Sequence, residues 1–213
     1  MRKLPIGLQD FVGLRNDGYI YVDKTDYIYN LIHTGKVYFL SRPRRFDKSL
    51  LISTMKAYWQ GKRELFENLK IAKLKENDWL LHPVFHFDFD GGFYSGNHTG
   101  LESRLNEHLN LWEKEYNINP DDIRSYTETA GDNELNALGK RFRYLIMEVH
   151  RQAGKRVIIL VDEYDKPLLE VMDQTEIEQH NKALFKGFFG SLKRFDEHIE
   201  FVFITGVTKF EAV

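Results

Sequence analysis

The chain contains no cysteine, which removes both a disulfide framework and a thiolate metal site from consideration. No apolar run approaches the length of a membrane span, and Met1-Arg2-Lys3-Leu4-Pro5 lacks the apolar stretch of a signal peptide. Neither charge is in excess. Thirty basic residues against 32 acidic ones leave a formal net charge of −2, so the chain as a whole has no pull toward nucleic acid or a membrane surface. Internal repeats, low-complexity tracts and obvious linkers are also missing. A cytoplasmic protein without membrane contact is the expectation. Asn97-His98-Thr99 fits a glycosylation sequon, but with no secretory signal it reads as a chance match.

What is present suits a packed fold. A 42% hydrophobic fraction over 213 residues is enough for one sizeable core. Asn16-Asp17-Gly18 reads as a turn and Tyr19–Val22 as a short strand. Asp23 or Thr25 caps a predicted helix through Tyr27, Ile28, Leu31 and Ile32. Val37–Leu40 is a short apolar strand, followed by the polar run Ser41–Ser49. A helical pattern then carries Leu50, Leu51, Met55 and Trp59 on one face as far as Gly61.

Further along, His82–Asp90 reads as a strand ended by Gly91-Gly92, and helices are expected near Leu101–Tyr116 and Glu134–Gln152. Val157–Val161 is the most apolar strand and runs into Asp162-Glu163. A helix over roughly Glu176–Phe195 precedes the strand Ile199–Ile204, which ends at Thr205-Gly206. Strands alternating with helices predict an α/β fold, a mostly parallel sheet covered on both faces. Ligands of such sheets bind at the carboxyl ends of the strands. Here those ends carry Arg42–Ser49, Asp88 and Asp90, Asp162 and Glu163, and Thr205 and Thr208.

The run Ser41-Arg42-Pro43-Arg44-Arg45-Phe46-Asp47-Lys48-Ser49 leaves a strand and opens a helix. A phosphate loop, G-x-x-x-x-G-K-[ST], has this setting: amides and the helix N-terminus cradle phosphates, lysine reaches the terminal ones, and the hydroxyl holds Mg²⁺. Lys48 and Ser49 are in place, but both glycines are missing, with Ser41 or Arg42 standing for the first and Asp47 for the second. The other reading of this run is a basic turn with solvated side chains. A carboxylate about 4 Å from a phosphate charge costs on the order of 4 kcal/mol at an effective dielectric near 20, or roughly three decades of affinity. Asp does tolerate the left-handed backbone that the glycine would adopt. The expectation is a preserved loop with ATP binding weakened or lost.

Val157–Val161 followed by Asp162-Glu163 has the form of a Walker-B strand. That chemistry needs one carboxylate on Mg²⁺ and one to activate water, both leaving a rigid buried strand. Asp162 is assigned to the metal with Ser49, and Glu163 to the general base. The alternative is a charged turn after a core strand. Thr205, in the sensor position, is the further catalytic candidate, with Thr208 second.

At these residues the chain resembles the AAA-ATPase-like family, P-loop domains often fused to a PD-(D/E)XK nuclease-like domain. The resembling segments are Leu4–Gly7 with Gln9-Asp10-Phe11, Tyr21–Thr25, Phe39–Phe46, Lys48-Ser49-Leu50, Val161–Leu168 and Phe203–Val207. The resemblance implies a three-layer P-loop fold of the additional-strand catalytic-glutamate type, with ATP and Mg²⁺ as cofactors. Arg44, Arg45, Phe46, Asp47, Lys48, Ser49 and Leu50 would line the nucleotide, and Tyr21–Thr25 would lie near its base. It implies one P-loop domain over residues 1–213 that stops short of its fifth core strand and carries no nuclease domain. The implied function is an ATP-binding, ATP-hydrolysing regulator of a nuclease-like or other protein module, with an arginine from another subunit or a missing segment expected to complete the site. Asp47, where the family has Gly, favours the alternative of a degenerate scaffold for protein or nucleic acid.

His86, Asp88 and Asp90 alternate along one strand face. They read as a metal triad or, more simply, as a strand end capping the Gly91-Gly92 turn. Arg42, Arg44 and Arg45 offer nucleic-acid phosphate an alternative to nucleotide. Asp165 is expected to cap a helix at Lys166-Pro167. An independent nuclease lacks support, because no acidic-x-lysine pattern follows Asp88 and Asp90 on a neighbouring strand.

Overall fold

Strand β3 (Val157–Asp162) is buried along its whole length, as a continuous apolar run inside a parallel sheet must be. It lies in a four-stranded sheet with β1 (Val37–Ser41), β2 (Val84–Asp88) and β4 (Ile199–Gly206). The computed structural model describes residues 3–43, 46–74, 79–131, 136–190 and 192–208, apart from the side chains of Lys193 and Arg194. Every strand pairing among these residues is parallel, and the order is β1-β4-β3-β2. β4 therefore sits between the strand that leads into Ser41–Ser49 and the strand that ends in acids, in the place of the additional strand implied by the resemblance.

Alternation along the strands sends successive side chains to opposite faces. Ile158, Leu160, Phe201 and Phe203 pack on one face with Val84, against α1 (Phe11–Asn16), α2 (Thr25–Thr34), α3 (Lys48–Trp59) and α4 (Lys70–Leu74). Ile159, Val161, Val202 and Ile204 turn the other way with Phe85 and Phe87. There they meet α5 (Gly100–Glu115), α6 (Pro120–Thr129), α7 (Ala137–Ala153), α8 (Lys166–Leu169) and α9 (Thr175–Phe189). The result is the three-layer α/β architecture expected. Each large apolar side chain taken wholly from water contributes on the order of 1.5–3 kcal/mol. Aromatic packing orders the second layer, with Phe142 stacked on Phe188 at 4.9 Å and edge-on to Phe87 at 5.2 Å.

Several expectations are corrected. Of Tyr19–Val22 only Tyr19 pairs, in an isolated parallel bridge to Lys3; the rest runs without a strand partner. Tyr21 packs edge-on against Phe11 at 5.1 Å. The ladder of β2 covers Val84–Asp88 rather than His82–Asp90. Pro83 has no N–H to contribute, and beyond the strand Asp90 N donates back to Asp88 Oδ1 at 2.8 Å, the turn-capping role. The helix expected over Glu176–Phe195 ends at Phe189; after Gly190 the chain passes into a tighter turn over Leu192–His198 that buries Phe195. Glu134 and Leu135 lie outside the described residues, and α7 is seen from Ala137, capped by Asn136. Among the described residues no helix is long and apolar enough to cross a membrane.

Asp23 and Thr25 form a local lock. Thr25 is fully buried and donates to Asp23 Oδ1 at 2.6 Å while accepting from Ile71 N at 3.1 Å; Asp23 Oδ2 also accepts from Lys70 N at 2.7 Å. These groups join α2 to α4.

The core layer yields a direct test. Phe142→Ala should lower unfolding stability by about 3–5 kcal/mol, read from urea denaturation of the two proteins; a loss below about 1 kcal/mol would show that this aromatic layer collapses without cost.

Candidate functional site

The site follows from strand parity. Asp162 continues the Ile158, Leu160 series, Thr205 continues Phe201, Phe203, and Asp88 continues Val84, His86. All three polar residues thus stand on the α3 face, in a row across β2, β3 and β4, where α3 begins with Lys48 and Ser49.

The loop between β1 and α3 is tied to β4. Arg42 N donates to Gly206 O at 3.0 Å and Ser41 Oγ to Val207 O at 2.7 Å. Asp47 adopts the left-handed conformation, φ 54 and ψ 27, with its side chain exposed and making no cap hydrogen bond. The backbone form of the missing glycine is therefore retained by a residue that tolerates it. Lys48 is only 4% exposed. Its Nζ donates to Arg42 O and Pro43 O, each at 3.1 Å, and lies 3.7 Å from Glu163 Oε1. Two carbonyls and one carboxylate offset the cost of burying the cation. Arg44 and Arg45 lie outside the described residues. Phe46 projects into solvent, and Leu50 packs on the α3-side core.

At the acidic end Asp162 is 3% exposed. Thr205 Oγ1 donates to Asp162 Oδ1 at 2.5 Å and accepts from Glu163 N at 3.2 Å. The neighbouring Ser49 hydroxyl also favours the charged form of the Asp162 carboxylate. Burial pushes the Asp162 carboxyl above its usual range, and the neighbouring Asp88 adds to the rise, against Ser49, Thr205 and Lys48, which lower it. Glu163 is likewise raised, first by burial, with Lys48 pulling it down and Asp90 and Asp162 pushing it up. Glu163 has φ 52, a strained conformation for a long side chain. This turn ends β3 and leads into α8.

The structure thus brings together Lys48, Ser49, Asp162, Glu163 and Thr205. Thr205 is wholly buried, and its hydroxyl is engaged by Asp162 and Glu163. Thr208 contributes its N–H to Asp165 Oδ2 at 2.6 Å, as Val207 does at 2.7 Å. Asp165 stands at the start of α8 as expected, but its carboxylate makes no helix cap and bridges instead to the loop after β4. This cross-loop role had no sequence signal, since it joins residues 42 and 43 positions apart.

A cleft of about 500 Å³ opens beside Ser49 and Asp162, lined also by Ser53, Lys56, His86, Asp88 and Asp10. Asp10 caps α1 and accepts from Ser53 Oγ at 3.2 Å, docking α1 on α3. Asp90 is drawn to Lys166, whose Nζ donates to Asp90 Oδ1 at 2.5 Å. Among the described residues no three histidine or acidic groups are arranged to hold a metal unaided. The adjacent Ser49 hydroxyl and Asp162 carboxylate are hard oxygen donors. They fit Mg²⁺, which keeps several waters and takes phosphate oxygens.

Three comparisons with known proteins bear on this arrangement. The family described as "Predicted AAA-ATPase" matches residues 5–213. A curated relative from Azotobacter chroococcum mcd 1, named "Uncharacterized protein in vnfD 5'region", is 37% identical over 214 residues; the match covers 100% of this chain and 38% of the relative. The chain therefore spans well under half the length of that relative. No solved structure matches.

The buried Asp162 gives a pH prediction. Its folded pKa lies above the unfolded value, so its contribution to stability is full at low pH and is lost as pH rises through the folded value. Asp162→Asn should therefore melt higher than the unmodified protein at pH 7, and the gap should close as pH falls through the carboxylate range. A gap that is absent at pH 7 or widens in acid would contradict this.

Proposed function

The chain belongs to the family of predicted AAA-ATPases, and from that premise we propose that it binds ATP with Mg²⁺ at the carboxyl edge of its sheet and hydrolyses it slowly. The observation that carries this reading is the meeting of Lys48, Ser49, Asp162 and Glu163, from two segments far apart in sequence, with Ser49 and Asp162 lining the cleft.

In this reading Lys48 exchanges its carbonyl partners for the terminal phosphates, and the amides at the start of α3 follow it. Ser49 and Asp162 hold the cation. The cation, when bound, neutralises charge on the phosphoryl oxygens and orients them for in-line attack. Glu163, raised above the ordinary carboxylate range, accepts the proton of the attacking water. Thr205 holds the Asp162 carboxylate and the Glu163 amide in register. Arg44, Arg45, Phe46 and Leu50 flank the nucleotide, and an arginine from a second copy of the chain completes the charge around the terminal phosphate. The domain formed by residues 1–213 regulates a partner, a nuclease-like domain or another protein, by its nucleotide state.

Asp47 favours a second reading, a domain that has lost turnover and serves as a scaffold for protein or nucleic acid. Its carboxylate stands where a phosphate-binding loop uses a bare backbone, and repulsion opposes triphosphate.

Calorimetry with Mg-ATP separates the two, and turnover is followed by phosphate release. The unmodified chain should bind weakly, and Asp47→Gly should bind at least about tenfold tighter. Lys48→Ala should abolish binding. Glu163→Gln should keep binding and lose turnover by about 10²–10⁴-fold. Binding without turnover in both the unmodified chain and Asp47→Gly supports the scaffold. No binding by either, in folded samples, contradicts nucleotide binding.

A further inference from the structure

Asp88 lies outside the residues assigned so far, yet it stands directly beside Asp162. The two are partners in the parallel β2–β3 ladder and share the α3 face, and both line the cleft with Ser49. Nothing in the core requires a carboxylate there. Its Oδ1 accepts from Asp90 N, while Oδ2 has no protein partner among the described residues.

The backbone of Asp88 is held on its outer side by α5. Arg104 Nε donates to Asp88 O at 2.8 Å, and Asp88 N donates to His108 Nε2 at 3.1 Å. His108 Nδ1 lies 2.8 Å from Arg104 O, so it carries the proton that this carbonyl accepts and Nε2 stays free as an acceptor. These two side chains sit one helical turn apart and fill the edge positions that β2 leaves without a strand neighbour. They leave the Asp88 side chain at a set height beside Asp162.

A second observation comes from the same cleft wall. His86, two residues earlier on the same face, has a buried Nε2 with no partner among the described residues. A buried ring nitrogen without a protein partner calls for ordered water or a hydrated ligand. His86 and Asp88 thus stand together in the cleft wall next to the Ser49–Asp162 pair.

We propose that Asp88 is a positioning residue for the divalent cation, accepting a hydrogen bond from a water bound to the cation that Ser49 and Asp162 hold directly. This rests on the ATP-binding reading above and extends the cation's surroundings to β2. Outer carboxylates of this kind orient the inner ligands and typically account for about 10–100-fold in metal affinity. Asp90 is the natural control. It lines the same cleft with the same charge, but its carboxylate is engaged by Lys166.

The test measures Mn²⁺ binding by electron paramagnetic resonance in the presence of a saturating non-hydrolysable ATP analogue, alongside analogue affinity without metal. Asp88→Asn should weaken Mn²⁺ by about 10–100-fold and leave metal-free analogue affinity unchanged. Asp90→Asn should leave Mn²⁺ affinity within about twofold. Asp88→Ser, which still accepts from Asp90 N, replaces Asp88→Asn if circular dichroism shows that variant unfolded. Unchanged Mn²⁺ affinity in the folded Asp88 variant, or equal weakening by Asp90→Asn, overturns the proposal. A chain that binds analogue without taking up Mn²⁺ overturns it while sparing nucleotide binding. A chain that binds no analogue sinks both.

Discussion

A carboxylate held out of water at the end of the most apolar strand is the constraint on which the site depends. Asp162 leaves β3 where the sheet is covered on both faces, and the environment disfavours its charge. The surroundings answer with Thr205 from β4, Ser49 from the start of α3, and Lys48 nearby. They come from two segments, β4 and the start of α3, so the carboxylate is held only when both are in their places. Fold and site are the same set of contacts at this edge.

The same edge carries backbone strain. Asp47 and Glu163 are both left-handed without being glycine, at a cost of roughly 1–2 kcal/mol for an ordinary residue and less for Asp. Strain of this kind persists where the surroundings over-determine it. Asp47 is held by the hydrogen bond from Leu51 N to its carbonyl, and Glu163 by its amide on Thr205 Oγ1. The two strained residues bracket Lys48, one immediately before it in sequence and the other across the cleft edge. A loop without glycine thus keeps a left-handed backbone shape while setting an exposed carboxylate immediately before Lys48.

Much of the fold was legible because the strongest signals were long and periodic. The β3 run, the α3 stripe and the α7 stripe each report a buried surface, and strand parity carries Asp162 and Thr205 to the α3 face. The short helices α1, α4 and α6 went unread, being five to ten residues long and set by tertiary contacts. Tyr19–Val22 looked like a strand because its residues favour one, but among the described residues no partner strand lies beside Ile20–Val22. At the site, Lys48, Ser49, Asp162 and Glu163 were readable from local strings. The Asp165 bridge to Val207 and Thr208 and the Arg104–His108 clamp on Asp88 were not, because each depends on the order of strands and helices. The Arg104–His108 spacing hinted only that both share a helix face.

The central claim is that Ser49 and Asp162 together define a cation seat beside Lys48. The most direct measurement is an anomalous difference map from crystals of the chain grown with Mn²⁺ and a non-hydrolysable ATP analogue. The account predicts one Mn²⁺ peak between Ser49 Oγ, the Asp162 carboxylate and the phosphates, with Lys48 turned onto the terminal phosphate. A peak away from that edge, or phosphates bound while Lys48 stays on the carbonyls of Arg42 and Pro43, would contradict it.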